Sequence, residues 1–256
     1  MKSTRPLGLI LAAVVLVASP VCAKVIVDNF DDNVTNTIYW EPFVSYQGGS
    51  GEGVAIAETE GLLKITATRI HTLNYFAGYE ARFELPGDFD IQVDYYHLNA
   101  PPGNQQSYPG TDWYPYWFGT RIGMSFGFSG NNWADIHFVE YWDGMLYQFG
   151  TSQGGNGYGN GIYDYGRLRM KRTGTRLEGF AYNFAKQAWD PVGSQENLAF
   201  AGNANLNVMV WDGAVGHVWP QDPPDAALLA FSNFRATMAG GDATTPAITN
   251  LMLLVD

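Results

Sequence analysis

Cysteine is nearly absent from this chain. The single one, Cys22, lies at the end of an N-terminal segment that reads as an export signal. Disulfides and thiolate metal sites are therefore not expected in the exported protein. The signal runs from Met1 to Ala23: Lys2 and Arg5 give a positive start, Leu7 to Ala18 is apolar with one glycine, and Val21 and Ala23 are the small residues a signal peptidase needs. Ser19-Pro20-Val21 is a poor context for lipidation of Cys22. Long hydrophobic runs are missing too. The signal's apolar run falls short of the roughly 20 residues that span a bilayer, and no later run is longer, so no transmembrane anchor is expected. Basic residues are scarce: 14 Lys and Arg stand against 25 Asp and Glu, for a net charge of −11. Losing Lys2 and Arg5 makes the exported chain more acidic still. That balance opposes binding to nucleic acid or to anionic membranes, both of which need a basic patch. Disorder is excluded by an aromatic content of 15%.

Helical periodicity is also lacking. The dominant period is two, in short segments separated by Gly, Pro, Asn and Asp. Expected strands are Val25–Asn29, Gly53–Ala57, Leu62–Thr68, Tyr79–Leu85, Phe89–His97, Arg121–Phe128, Trp133–Trp142, Met145–Gly150, Gly166–Arg172, Arg176–Asn183, Asn205–Trp211, Leu229–Thr237 and Ile248–Leu254. Ala185–Ala188 and Pro223–Leu228 each suit one helical turn. So many strands without an internal repeat or linker imply one domain, residues 24–256, of two packed antiparallel sheets. The last apolar segment, Ile248–Val255, is expected to pair with the first strand. Long connections are expected at Asn99–Trp117, Thr151–Tyr165 and Asp212–Ala227; connections of that length in a compact domain are often functional.

Four segments carry a family resemblance. Val27-Asp-Asn-Phe-Asp-Asp-Asn33 followed by Trp40 is similar to the opening of secreted bacterial jelly-roll domains. Gly87-Asp-Phe-Asp-Ile-Gln-Val-Asp-Tyr95 resembles one of their strands. Gly166-Arg-Leu-Arg-Met-Lys-Arg-Thr-Gly174, with Leu177, Tyr182 and Trp189, resembles their hairpin. Ala230-Phe-Ser-Asn-Phe-Arg235 resembles their closing strand. These are concanavalin A-like, or laminin-G-like, β-sandwiches. The resemblance implies an all-β, two-sheet antiparallel sandwich. It leaves function open, because this fold hosts lectins, binding modules, hydrolases and lyases.

The most informative segment is Trp133-Ala-Asp-Ile-His-Phe-Val-Glu-Tyr-Trp142. Alternation puts Trp133, Asp135, His137, Val139 and Tyr141 on one face, and Ala134, Ile136, Phe138, Glu140 and Trp142 on the other. The second set reads as core, with Glu140 needing a partner. The first mixes rings with hydrogen-bonding groups, which suits a sugar: ring C–H faces stack on aromatics while hydroxyls bond to Asp and His. The alternative is a solvated outer face. Trp113, Tyr116 and Trp117, in a proline-stiffened stretch, add aromatics that either rim a groove or fold back as a lid. A neutral or weakly charged polysaccharide would fit such a groove.

Catalytic patterns are largely missing. Laminarinase-like hydrolases of this fold place their carboxylates as Glu-x-Asp-x-x-Glu, which does not occur here. Jelly-roll alginate lyases use a Gln-x-His strand with Arg and Tyr. Asp135-Ile-His137 resembles that element with Asp for Gln, and Arg121 and Tyr141 would complete it. The acidic substitution disfavours a uronate. Asp90, Gln92 and Asp94 share one strand face and read as solvent-facing. Asp28, Asp31 and Asp32 form an oxygen-rich cluster, where the resemblance implies a structural Ca²⁺; the alternative is a polar turn. The four histidines lack zinc spacing, and Gly154–Gly159 lacks the strand-to-helix context of a dinucleotide loop.

Three functional readings remain. The first is an exported, non-catalytic glycan-binding or cell-surface module using Trp133, Asp135, His137, Tyr141, Trp113, Tyr116 and Trp117. The second is a polysaccharide lyase or glycoside hydrolase with His137, Tyr141 and Arg121 in the reaction. The third is a structural or adhesive envelope protein without a small ligand.

Overall fold

Alternation in the sequence becomes alternation of inward and outward side chains. Along Tyr165–Thr173, Leu168 and Met170 are buried while Arg167 and Arg169 stay partly exposed. A computed structural model describes residues 23–46, 54–67, 75–99, 120–141, 144–161, 165–199, 202–212 and 227–238. Its strands are β1 (Lys24–Asp28), β2 (Trp40–Tyr46), β3 (Val54–Thr59), β4 (Leu62–Ala67), β5 (Tyr75–Ala81), β6 (Phe89–Asn99), β7 (Thr120–Gly127), β8 (Trp133–Tyr141), β9 (Gly144–Thr151), β10 (Asn156–Asn160), β11 (Tyr165–Thr173), β12 (Arg176–Asn183), β13 (Ala188–Gln195), β14 (Asn205–Asp212) and β15 (Ala227–Met238).

They form two antiparallel sheets packed as a jelly-roll sandwich. One runs β13-β12-β11-β6-β15-β4-β3, with β1 also on β15; the other runs β10-β9-β8-β7-β14-β5-β2. On one side of β15, β4 pairs with Ala227 to Phe231 and β1 with Phe234 to Met238. On the other side β6 follows β15 through a bulge between Ser232 and Arg235, where Asn233 takes φ 50°. The bulge lets Asn233 donate to Asp94 Oδ2 at 2.9 Å.

Between the sheets, Phe89 stacks on Phe126 (5.5 Å, 3°) and Tyr95 on Phe138 (5.1 Å, 22°). A second aromatic nest surrounds fully buried Trp40: Phe234 meets it edge-on at 4.8 Å, Tyr79 stacks at 5.9 Å, and Phe30 and Phe83 close the sides. Trp40 donates its indole N–H to Asp28 Oδ2 at 2.9 Å, while Phe30 N donates to Asp28 Oδ1 at 2.9 Å. The Asp-Asn-Phe opening and the closing Ser-Asn-Phe thus meet in one nest. Each ring buried there contributes about 1.5–3 kcal/mol of transfer free energy.

Several expectations are corrected. Trp40–Tyr46, Asn156–Asn160 and Ala188–Gln195 are strands that the pattern did not mark. The expected loop Thr151–Tyr165 contains β10, hydrogen-bonded along β9. The strand expected at Tyr79–Leu85 lies at Tyr75–Ala81, and Leu85 makes only an isolated bridge to Ala204. Ala185 to Gln187 form a hydrogen-bonded turn between β12 and β13, with Gln187 at φ 51°, and Ala188 begins β13. Among the described residues β1 pairs with β15. Residues 1–22 and 248–255 lie outside the described residues. No helix among the described residues is long and apolar enough to cross a membrane.

Candidate functional site

The outer face of the seven-stranded sheet carries the polar face of β8. Register fixes its rows. One row reads Tyr158, Gln148, His137, Gly123, Met209, Gly78 and Phe43 from β10 to β2. The next reads Asn156, Gly150, Asp135, Ser125, Asn207, Glu80 and Glu41. The expected division of β8 holds for the side chains described: Ala134, Ile136 and Phe138 are core.

Trp133 is the exposed aromatic of this face, at 44%. Gly150 makes room for it: a methyl group there would lie 3.3 Å from the Trp133 ring and 3.0 Å from Asp135 Oδ1. The ring therefore leans over bare backbone beside a carboxylate. Asp135 is mostly covered, with its side chain 18% exposed.

His137 lies deeper than a solvated face requires, at 1% exposure. Its Nε2 is 3.1 Å from Gln148 Oε1, so Nε2–H is the donor and Nδ1 carries the lone pair of the neutral ring. Nδ1 faces Asp135 Oδ1 across 3.6 Å, beyond hydrogen-bond length but well within Coulombic reach. Trp211 meets the imidazole edge-on at 4.7 Å and 72°. Arg121 lies with its guanidinium carbon 6.0 Å from the Trp211 ring centre. Burial pushes the His137 pKa down, Asp135 pulls it back up, and Arg121 pushes it down again; the result is below the ordinary value, so the ring is neutral at pH 7. Val139 is fully buried. The β8 face is thus an exposed ring and a carboxylate backed by a buried imidazole.

The remaining expected site residues do not all join this group. Tyr141 pairs with Gly144 at the end of β8, and its side chain lies outside the described residues, as do Trp113, Tyr116 and Trp117. In the Asp135 row the next carboxylate is Glu80, three strands away. At roughly 4.8 Å per strand that is about 14 Å of backbone, outside the roughly 5–9.5 Å of glycosidase pairs.

The cluster at Asp28, Asp31 and Asp32 does not suit calcium. Both Asp28 oxygens already accept protein hydrogen bonds, and Asp31 and Asp32 are exposed. Among the described residues no three His, Cys, Asp or Glu side chains converge as a metal would need. Close by, buried Glu58 accepts from Tyr79 Oη at 2.8 Å, and burial, with Asp28 and Asp32 nearby, pushes its pKa up to about 7.

Sequence reasoning missed Gln148, Gly150 and Trp211, because cross-strand neighbours are set by register rather than by adjacency. It also did not foresee the partners of Asp90 and Asp94. On the outer face of the eight-stranded sheet, Asp94 forms a two-pronged pair with Arg167 and Asp90 one with Arg169. Alternation did place them outward; Arg167 and Arg169, on the neighbouring strand β11, then pair with them.

No protein-family model matches the chain, and no curated protein matches it in sequence. Solved structures do share its fold. A variant of LamA from Zobellia galactanivorans, in complex with laminaritriose and laminaritetraose, is 11% identical with a TM-score of 0.55, over 83% of this chain and 98% of that one. A beta-1,3-glucanase from Mycobacterium marinum is 12% identical with a TM-score of 0.51, over 82% and 97%. The GH43 protein BlXynB of Bacillus licheniformis is 12% identical with a TM-score of 0.53, over 84% of this chain; this chain spans only 39% of its length. What the chain shares with these glycoside hydrolases is the concanavalin A-like β-sandwich fold.

Proposed function

We propose that the protein is an exported, non-catalytic module that binds a neutral polysaccharide on the outer face of its seven-stranded sheet. The observation that carries this reading is the Trp133 ring, exposed and leaning over Gly150 beside Asp135. A sugar ring needs a flat apolar surface and an acceptor at its edge, and the two adjoin here. Asp135 orients a hydroxyl. His137, too deep to touch a ligand directly, positions Gln148. Trp113, Tyr116, Trp117 and Tyr141 are proposed as further contacts. The fold neighbours support a glycan as the ligand class, since LamA was solved with laminari-oligosaccharides.

The test is to incubate the protein with neutral and acidic polysaccharides and follow both polymer size and co-elution. Unchanged polymers with protein co-eluting on a neutral one are expected. Trp133→Ala is expected to weaken that binding by roughly 1–3 kcal/mol. No co-elution with any polymer would overturn the reading and favour a structural envelope protein.

One observation favours the catalytic reading: a neutral buried imidazole held 3.6 Å from a carboxylate, near Arg121. Polymer shortening that His137→Ala abolishes would replace the binding module with a lyase or hydrolase.

A further inference from the structure

The ladder of ion pairs on the outer face of the eight-stranded sheet has one gap. Strand β11 turns Arg167, Arg169 and Lys171 outward, and its neighbour β6 turns Asp94, Gln92 and Asp90 outward at the same three levels. Register sets Arg167 against Asp94 and Lys171 against Asp90, cation to carboxylate. Between them it sets Arg169 against the neutral amide of Gln92. Arg169 reaches along the sheet to Asp90 instead and donates to both of its oxygens. Lys171 loses its cross-strand partner by this, and its other neighbour, Glu178, bonds to Arg176. On the far side of Gln92, in register with it, stands exposed Arg235 of β15. Among the described residues no side chain bonds to Arg235, Lys171, Gln92 or Thr237.

Arg169 and Arg235 thus flank Gln92 on strands roughly 10 Å apart. Above the amide lies a hollow of about 290 Å³, bounded by Arg169 and Trp189 on one side, Arg235 and Thr237 on the other, and Asp90 at one end. Its size falls near the lower end of small-molecule sites, roughly 300–1,000 Å³. Arg169 is held in place: its guanidinium carbon lies 5.3 Å from the Trp189 ring centre and 5.6 Å from that of Phe180. Asp90 occupies two of its five N–H donors, which leaves the others for a ligand. Charge favours an anion here. Across these levels Arg167, Arg169, Lys171 and Arg235 stand against Asp90, Asp94 and Glu178. That is a local excess of cations in a chain with 25 Asp and Glu to 14 Lys and Arg.

We propose that this hollow binds a uronate unit of an acidic glycan, whose carboxylate fills the gap in the ladder between Arg169 and Arg235. A guanidinium fork matches a carboxylate with two parallel bonds. The Gln92 amide and the Thr237 hydroxyl each donate and accept, as sugar hydroxyls require. The hollow is larger than a carboxylate alone fills, which leaves room for the ring that carries it. Strands β11, β6 and β15 are interior, paired on both sides, so a peptide strand has no free sheet edge to join. Recognition falls to side chains. The site goes beyond the reading of the Trp133 face: it lies on the opposite side of the sandwich, needs no ligand there and selects the opposite charge.

The test is a ¹H–¹⁵N titration of the protein at low salt with the methyl glycosides of glucuronate and galacturonate, those of glucose and galactose, and acetate. At least one uronoside is expected to shift the Gln92 side-chain amide and the Arg235 Nε–H. The neutral glycosides and acetate are expected to bind there about tenfold more weakly or worse. Arg235→Gln, at an exposed side chain, is expected to keep the folded spectrum and weaken the uronoside about tenfold. Gln92→Glu supplies the missing carboxylate from the chain itself; it is expected to abolish the response and to raise the urea midpoint. Acetate binding as well as the uronosides would reduce the site to an anion site and overturn the sugar assignment. Neutral glycosides binding equally, no shift at Gln92 and Arg235, or a response unchanged in both variants would overturn it too. Shifts confined to the Trp133 indole and the Gln148 amide would support the other face and overturn this one.

Discussion

The two outward faces of the sandwich arise from the same alternation and carry opposite chemistry. On the eight-stranded sheet, Arg167 pairs with Asp94 and lies 5.7 Å from the Tyr182 ring; Arg169 pairs with Asp90 and lies 5.3 Å from Trp189 and 5.6 Å from Phe180. These four charges have geometric partners. On the seven-stranded sheet, glycine, methionine and a neutral histidine occupy the central row, and the His137–Asp135 approach stops short of a hydrogen bond. A face whose groups satisfy each other is holding a fold together. A face that leaves an exposed ring and an acceptor side by side has bonding capacity to spare, and that difference is why binding is proposed for the latter.

Substitutions sharpen this contrast. The largest effect is expected on the paired face. Arg167→Ala leaves the Asp94 carboxylate, 8% exposed, with only Asn233 as a partner, and is expected to cost about 3 kcal/mol in urea unfolding. Replacing Arg167 and Asp94 together by apolar residues should cost less than the single change, and an equal cost would show that the pair's charge balance is irrelevant. Next comes Gly123→Ala on the seven-stranded sheet. Its methyl would fall 2.2 Å from Ile136 O and 2.6 Å from His137 Cα, and overpacking against backbone is expected to cost about 2 kcal/mol. Gly159→Ala, by contrast, should be close to neutral, which differential scanning can check.

The sheets should also differ in sign with pH. Glu58, on β3 of the eight-stranded sheet, has its pKa raised from the model-compound 4.5 to about 7. The folded state then holds a proton that the unfolded state releases, so this group's contribution falls as pH rises from about 4.5 to 7. Glu58→Gln is expected to remove that slope, worth about 3 kcal/mol at pH 8. His137, on the other sheet, has its pKa lowered from 6.5. The unfolded state binds its proton more readily, so stability is lost as pH falls below 6.5. Unfolding free energies measured from pH 4 to 8 for Glu58→Gln and His137→Gln would show opposite changes; parallel curves would refute the assignment. The smallest stability effect is expected from Trp133→Ala, within about 0.5 kcal/mol because the ring is exposed. Its effect should appear in glycan affinity instead.

The strands that escaped the sequence reading share a location. β2, β10 and β13 are all edge strands. β2 carries Pro42 and β13 Pro191, while β10 is Asn-Gly-Tyr-Gly-Asn. Proline and glycine discourage further pairing at a sheet edge, and the same residues erase the apolar alternation that marks a strand. Interior strands such as β6, β8 and β11 face the core on one side and water on the other, so their period is plain. For the site, the outward set on β8 was legible and its environment was not. The depth of His137 depends on Trp211 and Gln148, which come from β14 and β9, far away in the chain.

The place of β15 has a consequence for how the chain comes to be folded. It is the last described strand, yet it sits inside the eight-stranded sheet, bonded to β6 on one side and to β4 and β1 on the other. Until residue 238 has been synthesised, the larger sheet is split in two, with β1, β3 and β4 waiting for a partner made more than 160 residues later than β4. Pairing across such a separation is slow. That sheet therefore stays open until residue 238 emerges, in the threadable state that a protein must keep if it is to cross a membrane before it folds.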